Sequence, residues 1–264
     1  EITTKEKLEV FLNSNVYTQY ESFLTRTSDA VIGKKLTQPI HVSDFLQRLL
    51  GILNDMEALL QEFPPIPQPM RYGNKAFRDY GRCFGERVIG YLDKLFGDSL
   101  PQEGKVELSV YLMESIGNTT RIDYGTGHET NFVAFLFCLE ILGFITPADY
   151  EALILKVFHR YICVMQRIQK TYMLEPAGSH GVWSLDDYQF LPFYYGAAQL
   201  SKQEVISPKA VLNLEMVKMY KNDYMYFAAI DFIFQMKTGP FNEFAPILYD
   251  MAHVPLWSKL HRGL

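Results

Sequence analysis

Cysteine is scarce in this chain. Its three residues, Cys83, Cys138 and Cys163, lie far apart inside apolar helical patterns and show no C-x-x-C spacing. A disulfide framework and a thiolate zinc site are thereby excluded, and a reducing compartment, cytoplasmic or nuclear, is expected. Positive charge is not in surplus either: 25 Lys and Arg stand against 30 Asp and Glu, a net charge of -5. That balance, with no segregated basic stretch, argues against nucleic acid as a partner. Long hydrophobic runs are missing, since "NFVAFLFCLEILGFI" (131–145) is broken by Glu140 and is too short to span a bilayer, so no membrane partner is expected. The start, "EITTKEKLEV", is no signal peptide. It has no initiator Met, and "PLWSKLHRGL" has no helix-ending signal, so a chain trimmed at both ends is expected. Sustained period-two alternation, a fixed internal repeat and the G-x-x-x-x-G-K-[ST] loop are all absent, which leaves little room for large sheets, standard solenoids or a Walker nucleotide site.

What is present is apolar and helical. Hydrophobic residues make up 48% and aromatics 14% of 264 residues, enough for a large core. Tyr150, Leu153, Ile154, Val157, Phe158, Tyr161, Ile162, Met165 and Ile168 recur at three-and-four spacing and predict a long amphipathic helix over 148–170. Similar patterns predict helices near 42–62, 75–97, 105–116, 127–143, 187–201 and 220–236. "EFPPIPQPMRYGN" (62–74) carries four prolines and predicts an extended connection. The fold class is therefore all-α, a single domain over 1–264 with room for internal lobes and few or no short strands.

Three loops can carry chemistry. In "RIDYGTGHE" (121–129), Thr126 and Glu129 have the T-x-x-E spacing of a capping box. The same Gly-flanked helix start could instead present amides to an anion, helped by Arg121; spacing favours the cap. In "KTYMLEPAGSHGVWSLDDYQFLPF" (170–193), Ser184 and Asp187 look like a helix N-cap, and Asp186 with Asp187 offers hard oxygen ligands for Mg²⁺. Trp183 is an unusual loop residue unless it packs or binds something. In "MKTGPFNEFAP" (236–246), Gly239-Pro240 stops a helix and leaves Phe241, Glu243 and Phe244 on a loop. His128 and His180 are the only histidines in these loops, and neither pairs with a nucleophile, which disfavours triad hydrolysis.

Taken in order, "GNTTRIDYGTGHE", "QKTYMLEPAGSHGVWSLDDYQFLPF", "MKTGPFNEF" and "VPLWSK", with "RYGNKAFRDY" (71–80) before them, closely resemble the phosphotyrosyl phosphatase activator family, activators of protein phosphatase 2A. The divergence outside the motifs is similar to that of a fungal member. The resemblance implies an all-helical fold with core, linker and lid regions. It also implies ATP- and Mg²⁺-dependent activation of the phosphatase catalytic subunit, and peptidyl-prolyl cis/trans isomerase activity on proline-containing peptides. By the same resemblance Arg121, Thr126 and Gly127 contact ATP, Gly181 (through its carbonyl) and Asp187 contact Mg²⁺, and Glu243 contacts the phosphatase. Family members run past the position of Leu264 and draw further nucleotide contacts from there, so weakened ATP binding by this chain alone is expected. Tyr124, Trp183, Phe190 and Phe241 are candidate walls of a peptide groove, chosen by residue type and loop. The competing readings are a stand-alone proline isomerase and a passive helical adaptor.

Overall fold

Thr4 and Ser14 each accept a hydrogen bond from an amide three residues on, and so start the first two helices, α1 (Lys5–Leu12) and α2 (Asn15–Asp29). The structure, a computed structural model, describes residues 2–264. Three more helices follow: α3 (Asp44–Ala58), α4 (Ala76–Phe96) and α5 (Gln102–Glu114). A two-residue strand, β1 (Asp123–Tyr124), leads into α6 (Thr126–Ile141). The predicted long helix is one rod made of α7 (Tyr150–Ala152), a π-helical stretch (Leu153–Phe158) and α8 (His159–Tyr172). Strand β2 (Glu175–Pro176) and a loop lead to α9 (Leu191–Leu200), then α10 (Leu214–Tyr220), α11 (Met225–Met236), α12 (Phe241–Phe244), α13 (Pro246–Met251) and α14 (Trp257–Gly263). The all-α expectation holds. The only sheet among the described residues is the parallel pair β1·β2.

Two apolar clusters organise these helices. The first collects α2 to α8 around Phe132 and Tyr161, whose rings stack 3.8 Å apart. The second collects α10 to α14 around Trp257, which packs edge-on to Tyr226 and donates its indole N–H to the Ile206 carbonyl at 2.7 Å. Helix α9 serves both. Leu191, Tyr195 and Ala198 face the first cluster, and Phe193, Ala197 and Leu200 face the second, each set spaced i, i+4, i+7. A helix that is apolar all round belongs in such a place.

Where expectation and structure differ, local chemistry explains it. The helix expected over 187–201 starts at Leu191, because the Asp186 carboxylate takes the amides of Tyr188 and Gln189 and folds them into a turn instead. The pattern over 220–236 is two helices, with Tyr220 ending α10 and Met225 starting α11. Phe241 to Phe244 form a helical turn and not the expected loop. The proline-rich connection is extended, as expected, and ends where the Gly73 and Asn74 amides donate to the Met173 and Tyr172 carbonyls at 2.7 and 2.8 Å. The three cysteines are free. No described helix is long and apolar enough to cross a membrane.

Candidate functional site

The β1·β2 ladder brings two of the three loops together. The Glu175 amide donates to the Ile122 carbonyl at 3.0 Å, and the Ala177 amide donates to the Tyr124 carbonyl at 2.8 Å. Ile122 sits at φ 59, a left-handed conformation costly for a β-branched residue, and it is buried. Next in the chain, Gly125 passes so close to the second loop that a Cβ there would lie 2.3 Å from the Ala177 carbonyl oxygen. Only a glycine fits this approach. Strain and close packing thus fix the start of α6 against residues 175–177.

That start is not a capping box. Gly125 is the N-cap, Thr126 is the first helical residue, and no side chain caps the end. Glu129 instead turns inward. Its Oε2 accepts the amides of Phe190 and Leu191 at 2.9 and 3.0 Å, so the α6 carboxylate caps α9 from 61 and 62 residues away. Glu129 is almost fully buried and its Oε1 has no partner. Burial pushes its carboxyl up to about 8, and outweighs the two amides that favour the charged form. With Glu129 so engaged, the amides of Thr126 and Gly127 have no acceptor among the described residues.

Around this helix end lies a cavity of about 300 Å³, whose lining includes Thr126, Ser179, Trp183, Asp187 and Phe190. Trp183 stands 82% exposed on a short 3₁₀ turn (Gly181–Trp183) at its edge. Gly181 begins that turn at φ 60, and its carbonyl accepts the Ser184 amide at 3.0 Å. The expected Ser184–Asp187 helix cap is absent: Ser184 Oγ accepts the His180 amide, and Asp187 turns to side chains. Ser179 Oγ donates to Asp187 Oδ1 at 3.0 Å, and Lys237 Nζ lies 2.7 Å from Oδ2. Sequence reasoning missed Lys237, since nothing in its spacing points at residue 187. Burial raises the neighbouring Asp186 carboxyl, against the Tyr188 and Gln189 amides that hold it.

Other expected residues do not line this cavity. Tyr124 is buried, with its hydroxyl 2.8 Å from that of Tyr161, so it is not a groove wall. Arg121 is exposed and bound to Asp123, with Nε to Oδ2 at 2.6 Å and Nη2 to Oδ1 at 3.2 Å. Gly127 is exposed one residue into α6. Phe241 packs on Phe234 and Phe244 against the second cluster, and Glu243 is exposed on the same turn. His128 is fixed rather than reactive: Nδ1 donates to the Glu114 carbonyl at 2.6 Å. A larger cleft of about 450 Å³ between α3 and α4 contains none of the motif residues, and the Arg87–Glu62 ion pair on its rim is solvent-exposed.

The donor set can be tested against Mg²⁺ with a nucleotide. No group of three His, Cys, Asp or Glu able to hold a metal exists among the described residues. A protein-only cage is therefore ruled out. The Asp187 carboxylate and the free Thr126 amide, which share one cavity, do suit a Mg²⁺ ion that takes its remaining ligands from phosphates and water.

Comparison with known proteins adds to this geometry. The family model described as "Phosphotyrosyl phosphate activator (PTPA) protein" matches residues 1–264. The chain is 40% identical over 270 residues to the serine/threonine-protein phosphatase 2A activator 2 of Candida albicans, covering 100% of this chain and 74% of that one. It is 40% identical over 266 residues to activator 1 of Schizosaccharomyces pombe, covering 100% and 81%. With the activator of Drosophila melanogaster it shares 39% over 255 residues, covering 97% and 64%. Among solved structures, the crystal structure of the PP2A phosphatase activator Ypa1 superposes with a TM-score of 0.89 at 34% identity, covering 99% of this chain and 84% of that one.

Proposed function

We infer that this chain, which belongs to the phosphotyrosyl phosphate activator family, is an activator of protein phosphatase 2A. The match over the whole of residues 1–264 carries this reading, together with relatives at 40% identity that bear that name, 74% and 81% of whose length the chain covers. The catalytic subunit of the phosphatase is the partner, and Glu243 is its contact. The carboxylate is exposed on a one-turn helix whose aromatic residues, Phe241 and Phe244, anchor on Phe234. A charge so presented can be reversed without disturbing the fold. Recovery of the phosphatase catalytic subunit on immobilised protein is expected to fall at least about tenfold for Glu243→Lys, a loss of at least about 1.4 kcal/mol. Equal recovery by both forms would remove Glu243 from the contact.

The cavity beside α6 is the candidate nucleotide site. The free amides of Thr126 and Gly127 at the start of α6 would meet a phosphate there, and Arg121, which is bound to Asp123 and does not line the cavity, would join them only by leaving that carboxylate. Asp187 and the Gly181 carbonyl would hold Mg²⁺, which neutralises phosphate charge when bound. The chain's own part is positioning, since β1·β2 fixes one wall and Ser179 orients Asp187 on the other.

A second reading, proline isomerisation, is favoured by Trp183. An exposed indole at the cavity edge near Phe190 offers an apolar surface for a prolyl ring. Rotation about an X-Pro bond needs no nucleophile, only a surface that binds the twisted amide better than the planar one. Trp183→Ala is expected to lower isomerisation of a proline peptide by about tenfold in a protease-coupled assay. A wild-type rate no higher than background would end this reading.

A further inference from the structure

The Asp187 carboxylate is already occupied in the folded chain. Lys237 is the C-cap of α11, and its ammonium lies 2.7 Å from Asp187 Oδ2, with both side chains largely shielded from water. The same Nζ also approaches the Phe244 carbonyl at 3.4 Å. One cation thus touches the loop that carries Gly181 and Asp187 and the turn that carries Glu243. Three residues separate Lys237 from that turn, and Gly239 bends the chain back at φ 117. The ammonium satisfies Oδ2 while the Ser179 hydroxyl satisfies Oδ1, so neither oxygen of this carboxylate is free. Two cations cannot share one carboxylate oxygen at contact distance, because their repulsion in a half-buried place is not screened by water.

We propose that Lys237 is a counter-ion latch: it holds Asp187 against divalent cations and braces the 241–244 turn, so that cation binding at Asp187 and release of that turn are coupled. The proposal rests on the reading that Asp187 holds a divalent cation. When a cation takes Asp187, Lys237 loses its main partner and its hold on the Phe244 carbonyl weakens. By reciprocity, a partner that draws the turn away opens Asp187 to the cation. Ser179 stays with the carboxylate through either change, which keeps the loop in place.

The test uses Mn²⁺ with a saturating non-hydrolysable ATP analogue, which supplies the phosphate oxygens that the chain lacks, followed by the ion's electron paramagnetic resonance signal, with the intact chain. Lys237→Met keeps the length and removes the charge, and it is expected to bind Mn²⁺ about tenfold more tightly than wild type, within the usual range of coupling between sites. Lys237→Arg keeps the charge and should match wild type. Asp187→Asn should abolish the gain in the Lys237→Met background. Hydrogen exchange supplies the second readout: the Phe244 and Ala245 amides, bonded to the Pro240 and Phe241 carbonyls, should exchange faster in Lys237→Met without metal and in wild type only with Mn²⁺. Equal Mn²⁺ affinity of wild type and Lys237→Met, with Asp187→Asn still weakening both, would overturn the latch and leave the cation reading standing. Indifference of every form to Asp187→Asn would overturn both. Tighter binding without faster exchange would overturn the coupling to the turn. Far-ultraviolet circular dichroism of each variant separates these results from misfolding.

Discussion

Glu129→Gln is expected to leave stability nearly unchanged at pH 4 to 5 and to stabilise the protein by about 3 kcal/mol at pH 7, rising towards about 5 kcal/mol above pH 8. The carboxyl is pushed up to about 8 in the fold from an ordinary value of 4.5. Below the lower value both folded and unfolded chains hold the proton, and burial carries no penalty. Between the two values the unfolded chain releases the proton while the folded chain keeps it, so wild-type stability falls as pH rises through this window. Above about 8 the folded carboxyl is charged as well, and the loss is complete. Glutamine keeps the oxygen that accepts from Phe190 and Leu191 and never ionises. Urea denaturation of both forms across pH 5 to 9 measures the difference. A difference that stays flat with pH would show that Glu129 is charged throughout. Glu129→Ala should destabilise at pH 4 to 5, where burial of the carboxyl carries no penalty, because it leaves two buried amides at the α9 start without an acceptor.

Gly196→Ala is the second change with a large expected effect, a loss of about 3 kcal/mol or more. Gly196 lies where α9 meets α11, and a Cβ there would be 2.2 Å from the Tyr226 amide nitrogen and 2.8 Å from its Cα. These are backbone atoms, so no rotamer change can relieve the contact. The two helices must move apart, and Tyr226 would drag at Phe193 and Trp257, against which its ring packs edge-on. Gly90→Ala in α4 is the control: a Cβ there meets nothing within 4 Å, and the helix should gain about 0.5 to 1 kcal/mol. Thermal unfolding of the pair decides it. A Gly196→Ala melting temperature within a degree or two of wild type would mean that the interface yields more easily than its packing implies.

The amphipathic elements were legible because each writes its buried face into its own residues. The α3, α4 and α8 patterns therefore predict those helices to within a few residues. Boundaries set by distant groups were not legible. Nothing near residue 190 announces that a carboxylate from α6 will cap the next helix, and Ser184 with Asp187 offered a more local, and mistaken, start. The clearest available signal was Glu129 itself, the one acid in the first two turns of a helix whose next stretch, Phe132 to Leu139, is wholly apolar. For the site, Thr126 and Asp187, singled out by the family resemblance, and Trp183 and Phe190, singled out by residue type and loop, line one cavity, whereas spacing by itself favoured helix caps. It could not tell Tyr124 from a surface aromatic, because a two-residue strand buried on both faces has too few residues to show a period. Lys237 was silent for a simpler reason. Its meaning lies in a partner 50 positions away, which only the tertiary fold reveals.

The helix with two apolar faces, α9, has a consequence for how the chain can be cut. In proteins built of separable halves, a protease finds an exposed joint and releases pieces that stay folded. Here the joint is itself the centre. The 177–190 loop before α9 offers an exposed stretch, but nicking it leaves α9 needing Leu191, Tyr195 and Ala198 on one neighbour and Phe193, Ala197 and Leu200 on the other. Neither fragment can close its interior alone. The two cleaved pieces should therefore stay together under native conditions and part only in denaturant, as one complemented particle.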